Sequence, residues 1–435
     1  MMHSAPALMD FVHGDDTGLL IPAHGAALQL QGAPFLTEAF QAFGSLSPDN
    51  RVKRIARLAP CPGGSTGQKL FLTVEYERPE PHLHTELFVK FSRDFDDAMR
   101  DHGRYEMESE ARFAAVSRLP GFPIDVPTAY FADYRQACGT GVLITQRIPF
   151  GEGPIEPHRR KFLDYQLDDP LPYYRAIVKA LARLAGAHKA GELSPDIAAR
   201  FPFDPQAAAA ADKIRYDERQ LRDLVAKYAD FAAAHPQLLP DNIRAPEFIA
   251  RLDGEVGPFL KHEATIQRAL QANGDFIALC HWNANIDNAW FWRDEAGNLQ
   301  CGLMDWGRVR QLNVAFALWG CLSGAPVSLW NSAFDELLAL FVTEFEAHGG
   351  PRLDPEELKL HMQLYVATMG LAWLMEAPAR ILYRLPEAAT ATSAQDPVFL
   401  KNDSARGQLN VMTAFLNLWE THDFGASLER LLQRA

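Results

Sequence analysis

Cysteine is scarce in this chain and never grouped. Cys61, Cys138, Cys280, Cys301 and Cys321 are the only five in 435 residues, and no CxxC pair occurs among them. An odd number at such spacings gives no sign of structural zinc or a disulfide framework and favours a reducing compartment. Runs of positive charge are also missing. The 42 Lys and Arg residues are outnumbered by 55 Asp and Glu, giving a formal net charge of −13. That balance disfavours general nucleic-acid binding but not a local basic pocket for phosphates. No uninterrupted apolar run reaches membrane-spanning length, and MMHSAPALMDFVHGDD lacks a basic start followed by an apolar core. The expectation is a cytoplasmic protein with no membrane or nucleic-acid partner. No repeat period is evident, and nothing in the pattern speaks to oligomeric state.

What is present is the composition of a globular protein, 48% hydrophobic and 22% charged. At this length two or three units sharing an extended core are expected. Residues 1–50 mix Pro, Gly and short apolar segments, with a short helix expected at 35–43, and read as an N-terminal extension. Residues 51–58, 70–76 and 87–91 have strand character, the last carrying Lys90. A dense turn, Ala59-Pro60-Cys61-Pro62-Gly63-Gly64-Ser65-Thr66-Gly67-Gln68, separates the first two. Glycines there let backbone N–H groups approach phosphate oxygens with no Cβ in the way. A helical pattern at 105–119 carries Glu106, Glu108 and Glu110, and 141–148 reads as a buried strand. The linker signal Pro149-Phe150-Gly151-Glu152-Gly153-Pro154 places a boundary between a sheet-rich unit at 51–150 and a helical one at 151–435. In the latter, helices are expected at 173–189, 207–234 (as one or two), 245–273, 332–348, 355–377 and 408–419, with a loop at 396–407. The fold class is α+β.

One stretch interrupts the helical part: LCHWNANIDNAWFWRDEAGNLQCGLMDWG, residues 279–307. His281, Asn283, Asn285, Asp287 and Asn288 form a polar cluster between two apolar runs. Residues 289–292 and 299–304 read as a hairpin around the turn Arg-Asp-Glu-Ala-Gly-Asn. Antiparallel pairing would bring Asn288, at its start, close to Asp305, at its exit. A carboxylate beside a carboxamide is a hard-oxygen site that suits Mg²⁺. Zinc at His281 is disfavoured, because no second His or Cys stands at a suitable short spacing. Trp290, Trp292 and Trp306 read as core, and Trp282 is the one tryptophan set aside as a ligand-stacking candidate.

Together these motifs resemble the aminoglycoside phosphotransferase and choline kinase branch of the protein-kinase-like fold. The resemblance runs from about residue 51 to the C-terminus, with residues 191–273 unmatched in detail. The loop Gly63-Gly64-Ser65-Thr66-Gly67 resembles the family's nucleotide-covering loop, and Lys90 in LFVKF its phosphate-binding lysine. Glu110 in SEARF resembles the helix glutamate that pairs with that lysine, with Glu106 and Glu108 as alternatives. His281 to Asn288 resembles the catalytic loop H-x-D-x-x-x-x-N, and Asp305-Trp306-Gly307 the Asp-Phe-Gly magnesium site. The resemblance implies a bilobal fold, a small antiparallel-sheet N-lobe and a large helical C-lobe, with ATP and Mg²⁺ as cofactors. It puts the glycine loop and Lys90 on the phosphates, Gln146 and Ile148 at the adenine edge, and Asn288 and Asp305 on Mg²⁺. The implied acceptor is a hydroxyl of a small molecule.

One departure matters. Where the family has an aspartate that accepts or orients the substrate proton, this chain has Asn283. An amide has no useful basicity near neutral pH, so Asn283 can orient a hydroxyl but cannot take its proton. Phosphoryl transfer needs little early proton transfer, so the loss of a base need not abolish it. Asp287 is the nearest acid that could substitute; its other reading is a loop-stabilising residue, and His281 is read as holding the loop by hydrogen bonds. Three readings therefore stand: a phosphotransferase, a pseudokinase that binds without turnover, and nucleotidyl transfer on the same scaffold.

Overall fold

The structure, a computed structural model, describes residues 10–64 and 66–434. The chain forms two compact units. The first runs to Phe150 and also takes in Leu193–Phe201 and Gly302–Val309; the second holds Gly151–Glu192, Pro202–Cys301 and the chain from Arg310 onward.

In the first unit β1 (Phe11–His13) and β2 (Leu20–Pro22) pair, followed by α1 (Gly25–Ala42), β3 (Val52–Pro60), β4 (Lys69–Tyr76) and β5 (Glu86–Phe91). Then come α2 (Ala98–His102), α3 (Met107–Val116), β6 (Ala129–Arg135) and β7 (Thr140–Gln146). β3 to β7 make one antiparallel sheet in the order β3-β4-β5-β7-β6. KLFLTVEY in β4 alternates strictly, burying Leu70, Leu72, Val74 and Tyr76 on one face, as the two-residue period of a strand requires. That face joins Leu87, Val89 and Phe91 of β5 and Leu28, Phe35, Leu36 and Phe40 of α1 in one core. Residues 10–50 are thus part of this unit rather than an appendage. α1 starts at Gly25, not at residue 35, and passes a kink at Gly32. Asp133, fully buried, clamps the β1–β2 turn by accepting from the backbone N–H of Asp16 and Thr17 and from the Thr17 hydroxyl; a buried carboxylate persists only with such partners. On the other face of the sheet Met107, Ala111 and Ala114 of α3 pack against Ala129, Ala132 and Leu143. β6, AYFADYR, is buried almost throughout and shows no alternation, which hid it from the sequence reading.

The second unit is helical. It comprises α4 (Leu171–Ala190) and, after α5 (Ile197–Arg200) of the first unit, α6 (Pro205–Ala211), α7 (Glu218–Ala234), α8 (Asp241–Arg244) and α9 (Pro246–Ala272). β8 (Ile277–His281) follows, then β9 (Ala289–Arg293), β10 (Leu299–Leu303), β11 (Val309–Asn313), α10 (Val314–Leu322), α11 (Val327–Ala347), α12 (Pro355–Trp373), α13 (Ala377–Arg384), α14 (Asp403–Thr421) and α15 (Phe424–Leu432). β9 pairs with β10 as the expected hairpin, and β8 pairs with β11. The stretch 207–234 is two helices, because Asp217 and Gln220 form a capping box that starts α7 anew. The expected loop at 396–407 instead holds a short helical turn at Pro397–Lys401 and the start of α14. α10 is buried on every side, so it has no amphipathic period to read. No helix among the described residues is long and apolar enough to cross a membrane.

Candidate functional site

Lys90 lies near the end of β5 and Glu110 on α3, with side chains 7% and 6% exposed. Lys90 Nζ donates to Glu110 Oε2 at 2.7 Å and to Asp305 Oδ1 at 2.8 Å. Burial works against the Lys90 ammonium, but the Asp305 and Glu110 carboxylates outweigh it and hold its pKa above the ordinary lysine range. Burial likewise pushes Glu110 up, with Lys90 opposing. Of the three candidate glutamates, Glu110 is the partner: Glu106 pairs with Arg308 at 3.1 Å and Glu108 with Arg112 at 2.5 Å.

Asp305 has a φ of 64°, a left-handed conformation that costs a non-glycine residue about 1–3 kcal/mol and tends to occur at functional sites. Its neighbours hold it there. Trp306 stacks on Phe113 of α3 with ring centroids 3.8 Å apart and donates from Nε1 to Leu303 O at 3.1 Å; Gly307 O accepts from Ser109 Oγ at 3.0 Å. The Asp305 side chain is 47% exposed, so its carboxylate faces solvent as well as Lys90.

The turn between β3 and β4 has left-handed backbone at Gly63, Gly64 and Gly67, with φ of 94°, 80° and 56°, where glycine alone moves freely. At Gly67 a Cβ would lie 1.8 Å from Phe91 O, so the end of the turn is pressed onto the β5 backbone. The Thr66 methyl packs over Gly103. Ser65 lies outside the described residues. Gln146 is tied to Thr128 through its N–H at 2.8 Å and its Oε1 at 3.5 Å, and the Ile148 carbonyl accepts from Phe150 N at 3.0 Å. The two residues expected at an adenine edge are therefore partly committed to the chain itself.

In the second unit β8 delivers His281, fully buried, whose Nδ1 accepts from Asn283 N at 3.3 Å. Asn285 Nδ2 donates to Asn283 Oδ1 at 2.9 Å and Asn288 Nδ2 to Asn283 O at 2.8 Å, while Ser323 Oγ donates to Asn285 Oδ1 at 3.3 Å. The loop is a network of neutral amides around half-buried Asn283. Trp282 is anchored in the helical core by donating from Nε1 to Tyr365 Oη at 3.1 Å. The Asp287 carbonyl accepts from His158 Nε2 at 2.8 Å.

Asp164 escaped the sequence reading. It is 3% exposed, and burial, with the charge of Asp287 adding to it, raises its carboxyl to about 7. The segment bearing it is firmly held: Phe162, at φ 58°, fits where Gly324 and Gly407 lack side chains, and buried Arg406 donates twice to Lys161 O, at 3.2 and 2.8 Å. Its sequence context, LDYQLDD, carries no motif.

Among the described residues no group of three or more His, Cys, Asp and Glu could hold a metal ion. Mg²⁺ is usually held by one or two protein oxygens together with substrate phosphates. The half-exposed Asp305 carboxylate in the first unit is such a donor, as is Asn288 Oδ1 in the second, because the Asn288 Nδ2 is already bonded to Asn283. Glycine backbone and a charged lysine likewise fit a polyphosphate.

No protein-family model and no curated protein matches the chain in sequence. Solved structures are similar to it. A microcompartment-associated aminopropanol kinase is 12% identical with a TM-score of 0.45, covering 91% of this chain and 99% of that one. A choline/ethanolamine kinase family protein from Mesorhizobium loti is 14% identical with a TM-score of 0.39, covering 87% and 93%. A spectinomycin phosphotransferase, solved with ADP and spectinomycin, is 12% identical with a TM-score of 0.39, covering 87% and 94%. These are proteins of the kind the sequence resemblance named. At such identities and TM-scores the chemistry of this chain has to be judged from its own residues.

Proposed function

We propose that the chain is an ATP- and Mg²⁺-dependent phosphotransferase acting on a hydroxyl of a small molecule. The observation that carries this reading is Lys90 held between Glu110 and Asp305 at 2.7 and 2.8 Å on a sheet whose β3–β4 turn is built of glycines. Phosphoryl transfer asks a protein chiefly for positioning and charge neutralisation. Lys90 supplies a fixed positive charge, and Glu110 keeps it aimed. Asp305 and Asn288 are the residues that would hold Mg²⁺, which when bound neutralises phosphate charge. Asn283 orients the acceptor hydroxyl by hydrogen bonding. In the transfer the hydroxyl oxygen bonds to the γ-phosphorus, the bond to the β–γ bridging oxygen breaks, ADP leaves, and the hydroxyl proton passes to solvent.

A second reading, a nucleotide-binding module without turnover, is favoured by Asn283 itself, whose Oδ1 already accepts from Asn285. Nucleotidyl transfer would use the same charges. The test is the thermal midpoint of the purified protein with ATP and Mg²⁺, followed by a screen for phosphorylated products. A nucleotide-dependent rise that Asp305→Ala abolishes supports nucleotide and metal binding, and a phosphorylated small molecule supports transfer. No rise with wild type, together with no effect of Asp305→Ala, sinks both nucleotide readings.

A further inference from the structure

β4 opens with Lys69, and the pairing of β4 with β5 sets Lys69 directly opposite Lys90. Residues so opposed point to the same face of a sheet, so both ammonium groups lie on the face away from α1. Their surroundings differ. Lys90 has Glu110 and Asp305. Lys69 is half-buried and has no salt bridge to any described carboxylate. Its Nζ lies against the glycine turn, where a Cβ on Gly64 would be 1.6 Å away. The next cation, Arg100, is turned to Asp94 and Asp97 at 3.6 Å each, and its carbonyl accepts from Gly67 N at 3.3 Å. Burial first, and then the charge of Lys90, depress the Lys69 pKa, and the carboxylates of Asp305 and Glu110, both engaged by Lys90, offset this only in part.

Like charges facing each other across two strands destabilise a sheet, and a half-buried ammonium with no direct salt-bridge partner adds to that cost. The arrangement makes physical sense when an anion is bracketed by the two lysines beneath the turn. We propose that Lys69 is a second polyphosphate-binding residue, acting with Lys90 on the phosphates of a nucleoside triphosphate under the Gly63-Gly64 turn. This rests on the nucleotide reading above. Lysine acts on phosphate as a point charge, so Lys69 senses the number of phosphates rather than the base.

The test is the affinity of the full chain, with Mg²⁺, for ATP, ADP, AMP and adenosine, measured for wild type, Lys69→Gln and Lys69→Arg. In Lys69→Gln, ATP affinity is expected to fall about 10–100-fold, as for loss of one charge-assisted contact. The loss should shrink from ATP through AMP and vanish for adenosine, with Lys69→Arg recovering most of it and the ligand-free thermal midpoint not lowered. Labelling of Lys69 by an amine-acylating reagent should be blocked by ATP and by tripolyphosphate. A wild type that binds ATP while Lys69→Gln binds it equally well overturns the role of Lys69 and spares the phosphotransferase reading. An equal loss for adenosine, or labelling that ATP leaves unchanged, assigns Lys69 a structural role instead. A wild type that binds none of the four ligands overturns both.

Discussion

Two small clusters do different chemistry. In the first unit Lys90, Glu110 and Asp305 carry full charges on side chains from distant parts of the sequence, two of them almost wholly buried. In the second unit Asn283, Asn285, Asn288 and Ser323 are linked only by neutral hydrogen bonds. The Lys90 ammonium can meet the charge of a polyphosphate, and removing one member of the set leaves the others uncompensated in a poor solvent for charge. Amides neither titrate in the physiological range nor accept protons, so their network orients a ligand equally well at any ordinary pH. On the proposed function, binding capacity would sit with the charges and the limit on turnover with the amides.

The largest effect is expected from breaking that division. In Asn283→Asp a carboxylate oxygen would meet Asn285 Nδ2, which already stands 2.9 Å from the present Oδ1. Restoring a base should raise phosphoryl-transfer turnover about 10²–10⁴-fold, the usual contribution of a positioned acid–base group, and initial rates with a responding acceptor would show it. Unchanged turnover would mean that Asn283 is not at the reacting hydroxyl.

Next comes Lys90→Met, which leaves Glu110 buried and unpaired. Breaking such a pair costs about 3–5 kcal/mol, to be measured by urea denaturation at neutral pH. The pH dependence has a definite sign. Without Lys90 the folded-state pKa of Glu110 rises further above its unfolded value, so the variant is most stable below that unfolded value and loses stability as pH rises. The loss should be small near pH 4, full at neutrality, and relieved in Lys90→Met/Glu110→Leu. Equal losses at both pH values would show that Glu110 finds another cation.

Asp164 is the exception in the second unit, a buried carboxyl among helices. Its folded pKa of about 7 stands above the ordinary aspartate value of 3.8. A carboxyl raised in this way contributes stability that is complete below the unfolded pKa and is lost as pH rises through the folded one. Over that window the loss is on the order of 4 kcal/mol, at about 1.4 kcal/mol per pH unit. Asp164→Asn should remove this decline, and thermal midpoints between pH 4 and 8 would show it. An unaltered slope would mean that the carboxyl is not buried in its acid form.

Much of this was legible locally. The glycine turn, the strand ending at Lys90, the Glu-bearing helix and the hairpin at 289–303 follow from turn chemistry and short-range periodicity. What was not legible depends on distance. α1 covers the sheet because its apolar residues complement those of β4 and β5, which no local pattern states. Residues 302–309, which end the second strand of the hairpin and run on from it, belong with the first unit. Lys69 stands one residue before the strand expected at 70–76, and only the register sets it against Lys90; register follows from turn geometry that composition alone does not reveal.

The smallest expected effect tests whether the charged cluster depends on the backbone above it. Gly63 and Gly67 both have positive φ, so alanine is strained at either, but only at Gly67 would the new Cβ meet backbone, at Phe91 O beside Lys90. Gly63→Ala should cost about 1 kcal/mol, the strain of a left-handed alanine. Gly67→Ala should cost about 1–3 kcal/mol, because β4 and β5 must part to admit the methyl. Urea denaturation separates the two losses, and ATP affinity gives the sharper reading. If both variants bind ATP within a few-fold of wild type, the lysine and its carboxylates act as a self-contained charged set. If Gly67→Ala loses as much affinity as Lys90→Met, the turn and the charges form one device, because a shift of Phe91 then suffices to move the neighbouring Lys90 off its partners.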